Sequence, residues 1–298
     1  MKTIPILSAA LCVFATAQAD DKLRIYTIGN SFHCWLPGWL THVEQHGSVN
    51  PHQQVGVDYL GGSWVRQHWD RNDEEHHARK DVESNDLDVL TLGGMHDPDY
   101  GIDRFTEAAL ARNPKVIVTF QEFWLPHDSL TWGTKPHYGA LGDSLRTWTD
   151  VPLTDPDKTP RLFDLPTADQ LQKLHQVYFD AFDKYIADLN KKLGRRVIRI
   201  VPVGQAVIAL RRKIIAGEMP GVSKQSDLFI DATGHPKKEI HALSAYCHYI
   251  VIYHKDPRGM TGITRENISP EASRVLQNLA WNAVINHPLS GFFEGKAN

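Results

Sequence analysis

The chain has 298 residues, of which 42% are hydrophobic and 22% charged, with a formal net charge of −3. Those values exclude a low-complexity or collagen-like chain and a strongly basic nucleic-acid binder. They leave apolar material for one large α/β domain or two small ones, and the 16 histidines keep general-base and metal chemistry both open.

Residues 1–19 read as a cleavable secretory signal. Lys2 supplies a positive start, 4–15 is an apolar stretch too short to span a bilayer, and Ala17-Gln18-Ala19 has the small-x-small pattern that precedes cleavage. The mature chain is then expected to start near Asp20, as a secreted or periplasmic protein without a membrane span. Two cysteines remain in it, Cys34 and Cys247. In an oxidising compartment they are either paired or two buried free thiols.

Residues 25–28 (Ile-Tyr-Thr-Ile) form a short β-branched, apolar run that predicts a buried strand. Gly29 ends it in a tight turn, and Ser31 follows at the expected start of a helix over 33–46, interrupted near Pro37-Gly38. Strand, Gly turn and hydroxyl present a nucleophile where unpaired amides favour an anion. The same pattern is also a plain helix cap. A second strand is expected over 55–60, ending at Gly61-Gly62-Ser63, and a helix over 64–68. The charged run 70–83, with His76 and His77, reads as a solvated face. Strand 89–92 ends in Gly93-Gly94-Met95-His96-Asp97; a helix over 102–112 and strand 116–120 follow.

Residues 125–167 break the alternation. They hold six of the 17 prolines together with Trp132 and Trp148, and read as an insertion lying over a site. Helical periodicity resumes from Leu171 to Leu193 behind Thr167 as N-cap. Strand 197–203 and helices over 205–216, 239–254 and 270–286 complete the chain. Strands alternating with helices predict a single doubly wound domain over 20–298, with a central parallel sheet of about five strands in flavodoxin-like order and helices on both faces.

In such a sheet the loops at the carboxyl ends of the strands build the site. The loops are Gly29-Asn30-Ser31, Gly61-Gly62, Gly94-Met95-His96-Asp97 and Asp231-Ala232-Thr233-Gly234-His235-Pro236. The set resembles the SGNH (GDSL-like) hydrolase superfamily in its Gly-Asn-Ser variant. The first loop resembles the nucleophile block, and Gly61 or Gly62 the second-block oxyanion glycine. The third loop is similar to the Gly-x-Asn-Asp block with His96 in place of Asn. The last is similar to the final Asp-x-x-His block with one extra residue. The resemblance implies a secreted serine esterase acting on acyl, often acetyl, esters of carbohydrates. Ser31 would be its nucleophile, His235 its base and Asp231 the residue that orients the base. The amides of Ser31 and Gly61 or Gly62, with His96, would be its oxyanion donors. No cofactor is implied. A serine hydroxyl needs a base to accept its proton, a histidine suits that role near neutral pH, and a developing oxyanion needs aligned donors.

Alternatives stand beside these residues. His241 competes with His235 as base, Asp227 with Asp231, and Gln121 with His96 as donor. Pro236 is expected to open the helix that follows His235. A metallohydrolase would draw on His76, His77, His96, His127, His235, His241, Asp97 and Asp231, although no His-Glu-x-x-His signature is present. A non-catalytic sugar-binding protein would use Trp64, Trp69, Trp124, Trp132 or Trp148 as platforms. Within the esterase reading, Trp124 and Trp132 are the expected substrate-binding residues.

Overall fold

The β-branched run over 25–28 pairs on both sides, as a strand apolar on both faces must. In the computed structural model, which describes residues 22–71, 74–128, 131–132, 135–136, 163–231, 233–261 and 265–292, β1 (Arg24–Gly29) lies between β2 (Gln53–Tyr59) and β3 (Val89–Gly93). Beyond β3 come β4 (Ile117–Glu122) and β5 (Ile198–Pro202), giving the order β2-β1-β3-β4-β5 with every pairing parallel. This is the doubly wound, flavodoxin-like sheet expected from the alternation. The inner strands are buried apart from the first residues of β1 and β4, whereas edge strand β2 leaves Val57 and Tyr59 exposed.

The connecting helices are α1 (Leu36–His46), α2 (Val65–Asp70), α3 (Ala78–Ser84), α4 (Tyr100–Arg112) and α5 (Ala168–Lys192), followed by α6 (Val203–Ile215), α7 (Lys238–Tyr253) and α8 (Pro270–Asn286). Side chains alternate across a strand. Phe120 stacks on Phe182 of α5 at 4.5 Å, while its neighbour Gln121 accepts from Ser244 of α7 at 3.1 Å. Helices α5 and α7 therefore cover opposite faces.

Several boundaries differ from expectation. Pro37 sits in the first turn of α1 instead of breaking it, because a missing N–H costs nothing there. Pro202 closes β5, as a proline at a strand margin should, but α6 begins at the next residue, two earlier than expected. Pro236 does not open α7: it forms an isolated bridge with Phe229, and the helix starts at Lys238. Cys34 and Cys247 are free thiols, so the paired alternative does not hold. The segment 1–19 lies outside the described residues, as does most of 125–167.

Both ends of that insertion are described, and one buried residue of α6 gathers them. The Arg211 guanidinium donates to both carboxylate oxygens of Asp128 (2.5 and 2.7 Å), to the Phe163 carbonyl (2.8 Å) and to Gln225 Oε1 (2.8 Å). Arg211 has no exposed surface and Asp128 only 8%. Removing one partner of such a pair strands the other charge in the interior. Arg211→Ala is expected to cost about 3–5 kcal/mol of stability by denaturant unfolding; a loss below about 1 kcal/mol would mean that the ends are held by something else.

Candidate active site

Ser31 lies in the turn after β1, not at a helix N-terminus; the Asn30 carbonyl accepts the amides of His33 and Cys34, and α1 begins five residues after Ser31. The turn is tied down by side chains. Asn30 Oδ1 accepts the Phe32 amide at 3.0 Å, and its Nδ2 donates to the Ser63 and Gly94 carbonyls, both at 3.1 Å. Trp35, one helical turn beyond Ser31, donates its indole N–H to the Ser31 carbonyl at 3.0 Å. Beneath it His33 crosses the strand ends so closely that a Cβ on Gly93 would meet the His33 ring at 2.5 Å, and one on Gly29 would meet the Gly93 carbonyl at 2.9 Å. Only glycine fits at either place.

Gln121 serves this scaffold. Its Nε2 donates to the Phe32 carbonyl at 2.8 Å, and its Oε1 accepts from His33 Nδ1 (3.0 Å) and Ser244 (3.1 Å). Burial lowers the His33 pKa to about 4, which keeps the ring neutral. The amide expected as an alternative oxyanion donor is thus engaged under the Ser31 turn.

From the far side of the sheet the loop before α7 brings its histidine to the serine. The loop folds back on itself, with the Ile230 amide donating to the His235 carbonyl at 2.8 Å and the Phe229–Pro236 bridge beside it. Asp231 Oδ1 accepts the amides of Gly234 and His235 at 3.1 and 3.2 Å. Gly234 takes up the extra residue with φ +91°. Its carbonyl accepts the Trp124 indole N–H at 2.9 Å.

Three side chains then fall in line. His235 Nδ1 lies 2.6 Å from Asp231 Oδ2, and His235 Nε2 lies 2.8 Å from Ser31 Oγ. An ionised Asp231 accepts the Nδ1 proton, which leaves Nε2 with a lone pair facing the serine hydroxyl. Burial acts to raise the Asp231 pKa, but the hydrogen bonds and charge of His235 outweigh it and hold the carboxyl below its usual range. His235 and Asp231 are both partly exposed, so the chain of hydrogen bonds opens to solvent. The competing residues lie elsewhere. His241, inside the first turn of α7, packs on Trp35 (4.2 Å) and Trp39 (5.4 Å), and burial with the Arg265 charge lowers its pKa to about 4. Asp227 accepts the Lys224 amide at 3.1 Å within its own short turn.

The second loop exposes Gly61 and Gly62, the latter in the left-handed region at φ +63°. His96, from the third loop, is buried with its ring 5.7 Å from that of Trp64, next to the glycine loop. Trp124 corrects an expectation: it is fully buried against Phe32 (5.0 Å), so it braces the histidine loop and offers no face to a sugar. Trp69 packs edge-on against Phe105 at 5.1 Å. Trp148 and the side chain of Trp132 lie outside the described residues, as does the His127 side chain.

No family model and no curated protein matches the chain. The fold is shared with a DUF4886 family protein from Bacteroides uniformis ATCC 8492, at a TM-score of 0.59 and 12% identity, covering 89% of this chain and 96% of that one. A salicylyl-acyltransferase, SsfX3, from a tetracycline biosynthetic pathway aligns over 77% of this chain and 54% of its own, at 14% identity and a TM-score of 0.39. The first likeness, at 12% identity, is one of fold alone, and the chemistry has to be argued from the side chains.

The metal-site alternative finds one cluster among the described residues, and none of its members was expected for it. One ligand-type atom each of Glu122, Asp183 and His287 lies within 4.8 Å of the others, on the α5 side of β4. His287 Nδ1 accepts the Leu289 amide at 3.2 Å, so Nε2 carries the ring proton toward Asp183 Oδ1, 3.3 Å away. Burial, and then the Asp183 charge, push the Glu122 pKa well above the usual range. A carboxyl raised on folding contributes stability below its unfolded pKa and loses it as pH rises through the folded one. Glu122→Gln is accordingly expected to flatten the fall of Tm on the alkaline side of the ordinary carboxylate range. Thermal unfolding across pH checks this, and a fall as steep as in the wild type would assign it to another group.

Proposed function

We propose that this protein is a serine ester hydrolase. The observation that carries this reading is the Ser31–His235–Asp231 chain at 2.8 and 2.6 Å, partly open to solvent at the carboxyl edge of a doubly wound sheet. His235 takes the Ser31 proton as Oγ attacks an acyl carbonyl, then gives it to the leaving alcohol. Water repeats the sequence on the acyl-enzyme. Asp231 holds the ring in the tautomer this requires. The amides of Ser31 and Gly62 are the proposed oxyanion donors, and His96 borders their loop.

The substrate reading is an acyl ester, with acetyl among the candidates, on a carbohydrate. The insertion supports a role in selecting it, because its root meets the catalytic loop: Phe163 packs on Phe229 at 4.3 Å, and its ring lies 3.4 Å from where a Gly234 Cβ would be. Export rests on the character of residues 1–19. Among the described residues no helix is long and apolar enough to cross a membrane.

Hydrolysis of p-nitrophenyl acetate, with and without chelator, tests the chemistry, together with mass spectrometry after a fluorophosphonate. Chelator-insensitive turnover and a single adduct on Ser31 are expected. Chelator-sensitive turnover without an adduct would replace the serine mechanism with a metal one. Replacing 137–160 with a short linker is expected to impair hydrolysis of an acetylated polysaccharide more than that of p-nitrophenyl acetate; equal losses with an intact fold would make the insertion structural.

A further inference from the structure

The protein contains a second Ser-His-Asp chain. Ser63 Oγ lies 2.7 Å from His68 Nε2, and His68 Nδ1 lies 2.5 Å from Asp58 Oδ1. The connectivity repeats that of Ser31, His235 and Asp231, but burial separates the two. Ser63, His68 and Asp58 are 1%, 0% and 4% exposed, so no substrate reaches the Ser63 hydroxyl. We propose that Ser63, His68 and Asp58 form a positioning relay that holds the glycine loop of the active site, and with it the Gly62 amide, in place for the oxyanion.

The loop has little else to fix it. Gly61 and Gly62 are exposed, and a Cβ added to Gly62 would meet nothing within 4 Å, so no neighbour packs against that face of the loop. Its position therefore depends on polar bonds at its ends. On the entry side the Leu60 amide donates to the Gly29 carbonyl at 3.0 Å. On the exit side Ser63 is held twice. Its carbonyl accepts Asn30 Nδ2 from the nucleophile turn, and its hydroxyl donates into His68 of α2. Asp58, at the end of β2, fixes the His68 tautomer and also receives His76 Nδ1 (3.3 Å) and the Ala78 amide (3.3 Å) at the start of α3. Burial opposes its charge, yet the bonds from the two histidines hold its carboxyl below the usual range. Asp99 secures α2 from beneath, accepting the Val65 and Arg66 amides at 3.0 and 2.8 Å. Strand β2, α2, α3 and the nucleophile turn thus converge on the single residue that follows Gly62. Part of the charged run expected to be a solvated face belongs to this network.

The inference rests on the esterase reading, and its test separates the two. Ser63→Ala and, independently, His68→Leu remove the relay; Ser63→Thr keeps the hydroxyl. With p-nitrophenyl acetate, both relay variants are expected to lower kcat about tenfold or more, below the hundredfold or more of deleting an oxyanion donor outright. KM should stay within about threefold, the double variant should be no worse than either single one, and Ser63→Thr should recover most of the rate. Amide hydrogen exchange at 60–63 should accelerate in the same variants. A kcat within about twofold of wild type, a loss confined to KM, or unchanged exchange at 60–63 would overturn the relay. Failure of the esterase reading shows separately, as wild-type turnover retained by Ser31→Ala, and exchange at 60–63 then still decides whether the relay holds the loop.

Discussion

Ser31→Ala is expected to lower kcat for ester hydrolysis by about a thousandfold or more while leaving Tm within a few degrees of wild type, the scale for loss of a covalent nucleophile. The structure says why the fold should tolerate the change. The turn is held by backbone amides and by Asn30, Trp35 and Gln121, whereas the Ser31 hydroxyl contributes one part-buried hydrogen bond, to His235. Alanine removes that bond and leaves the braces intact. The residual rate should match a site that still binds and polarises the ester but forms no acyl-enzyme. Turnover within about tenfold of wild type, with the variant folded, would remove Ser31 from the mechanism.

His235→Ala is expected to cost about a hundredfold or more in kcat, as for loss of a general base, and His241→Ala much less. The two histidines are six residues apart and their surroundings differ in kind. His235 is in contact with both a carboxylate and the serine hydroxyl. His241 is wedged between Trp35 and Trp39, where its pKa of about 4 keeps it neutral through the working range. Its loss should appear in stability: truncating it leaves a gap beside Trp35, whose indole N–H holds the Ser31 carbonyl. Any rate effect of His241→Ala should therefore be small and accompanied by a lower Tm. A near-wild-type His235→Ala beside an inactive His241→Ala would reverse the assignment.

The order of elements was legible in the sequence because its signals are local. Buried strands read as β-branched runs, and α5 shows 25 residues of helical periodicity behind the Thr167 cap. Alternation of the two implies a parallel doubly wound sheet. The loops that carry Ser31, Gly62, His96 and His235 were legible for the same reason, since each follows a strand or precedes a helix with glycine at the bend. Boundaries shifted where a proline was read by its usual habit and tertiary contact used it otherwise, as at Pro236, which the Phe229 bridge captures ahead of the helix.

Residue types and their spacing thus determined the fold class and where the candidate chemistry gathers. Only the tertiary structure decided which side chains meet and which are buried. Contact between Ser31 and His235 spans 204 residues, which no local pattern records. Trp124 could be a sugar platform or a core brace until burial placed its ring against Phe32 and its N–H on Gly234. The Ser63–His68–Asp58 chain carried no separate signal, because two of its members sat in an exposed-looking loop and next to a charged run. Side-chain roles depend on solvent access and on angles between elements distant in sequence, and packing alone sets both.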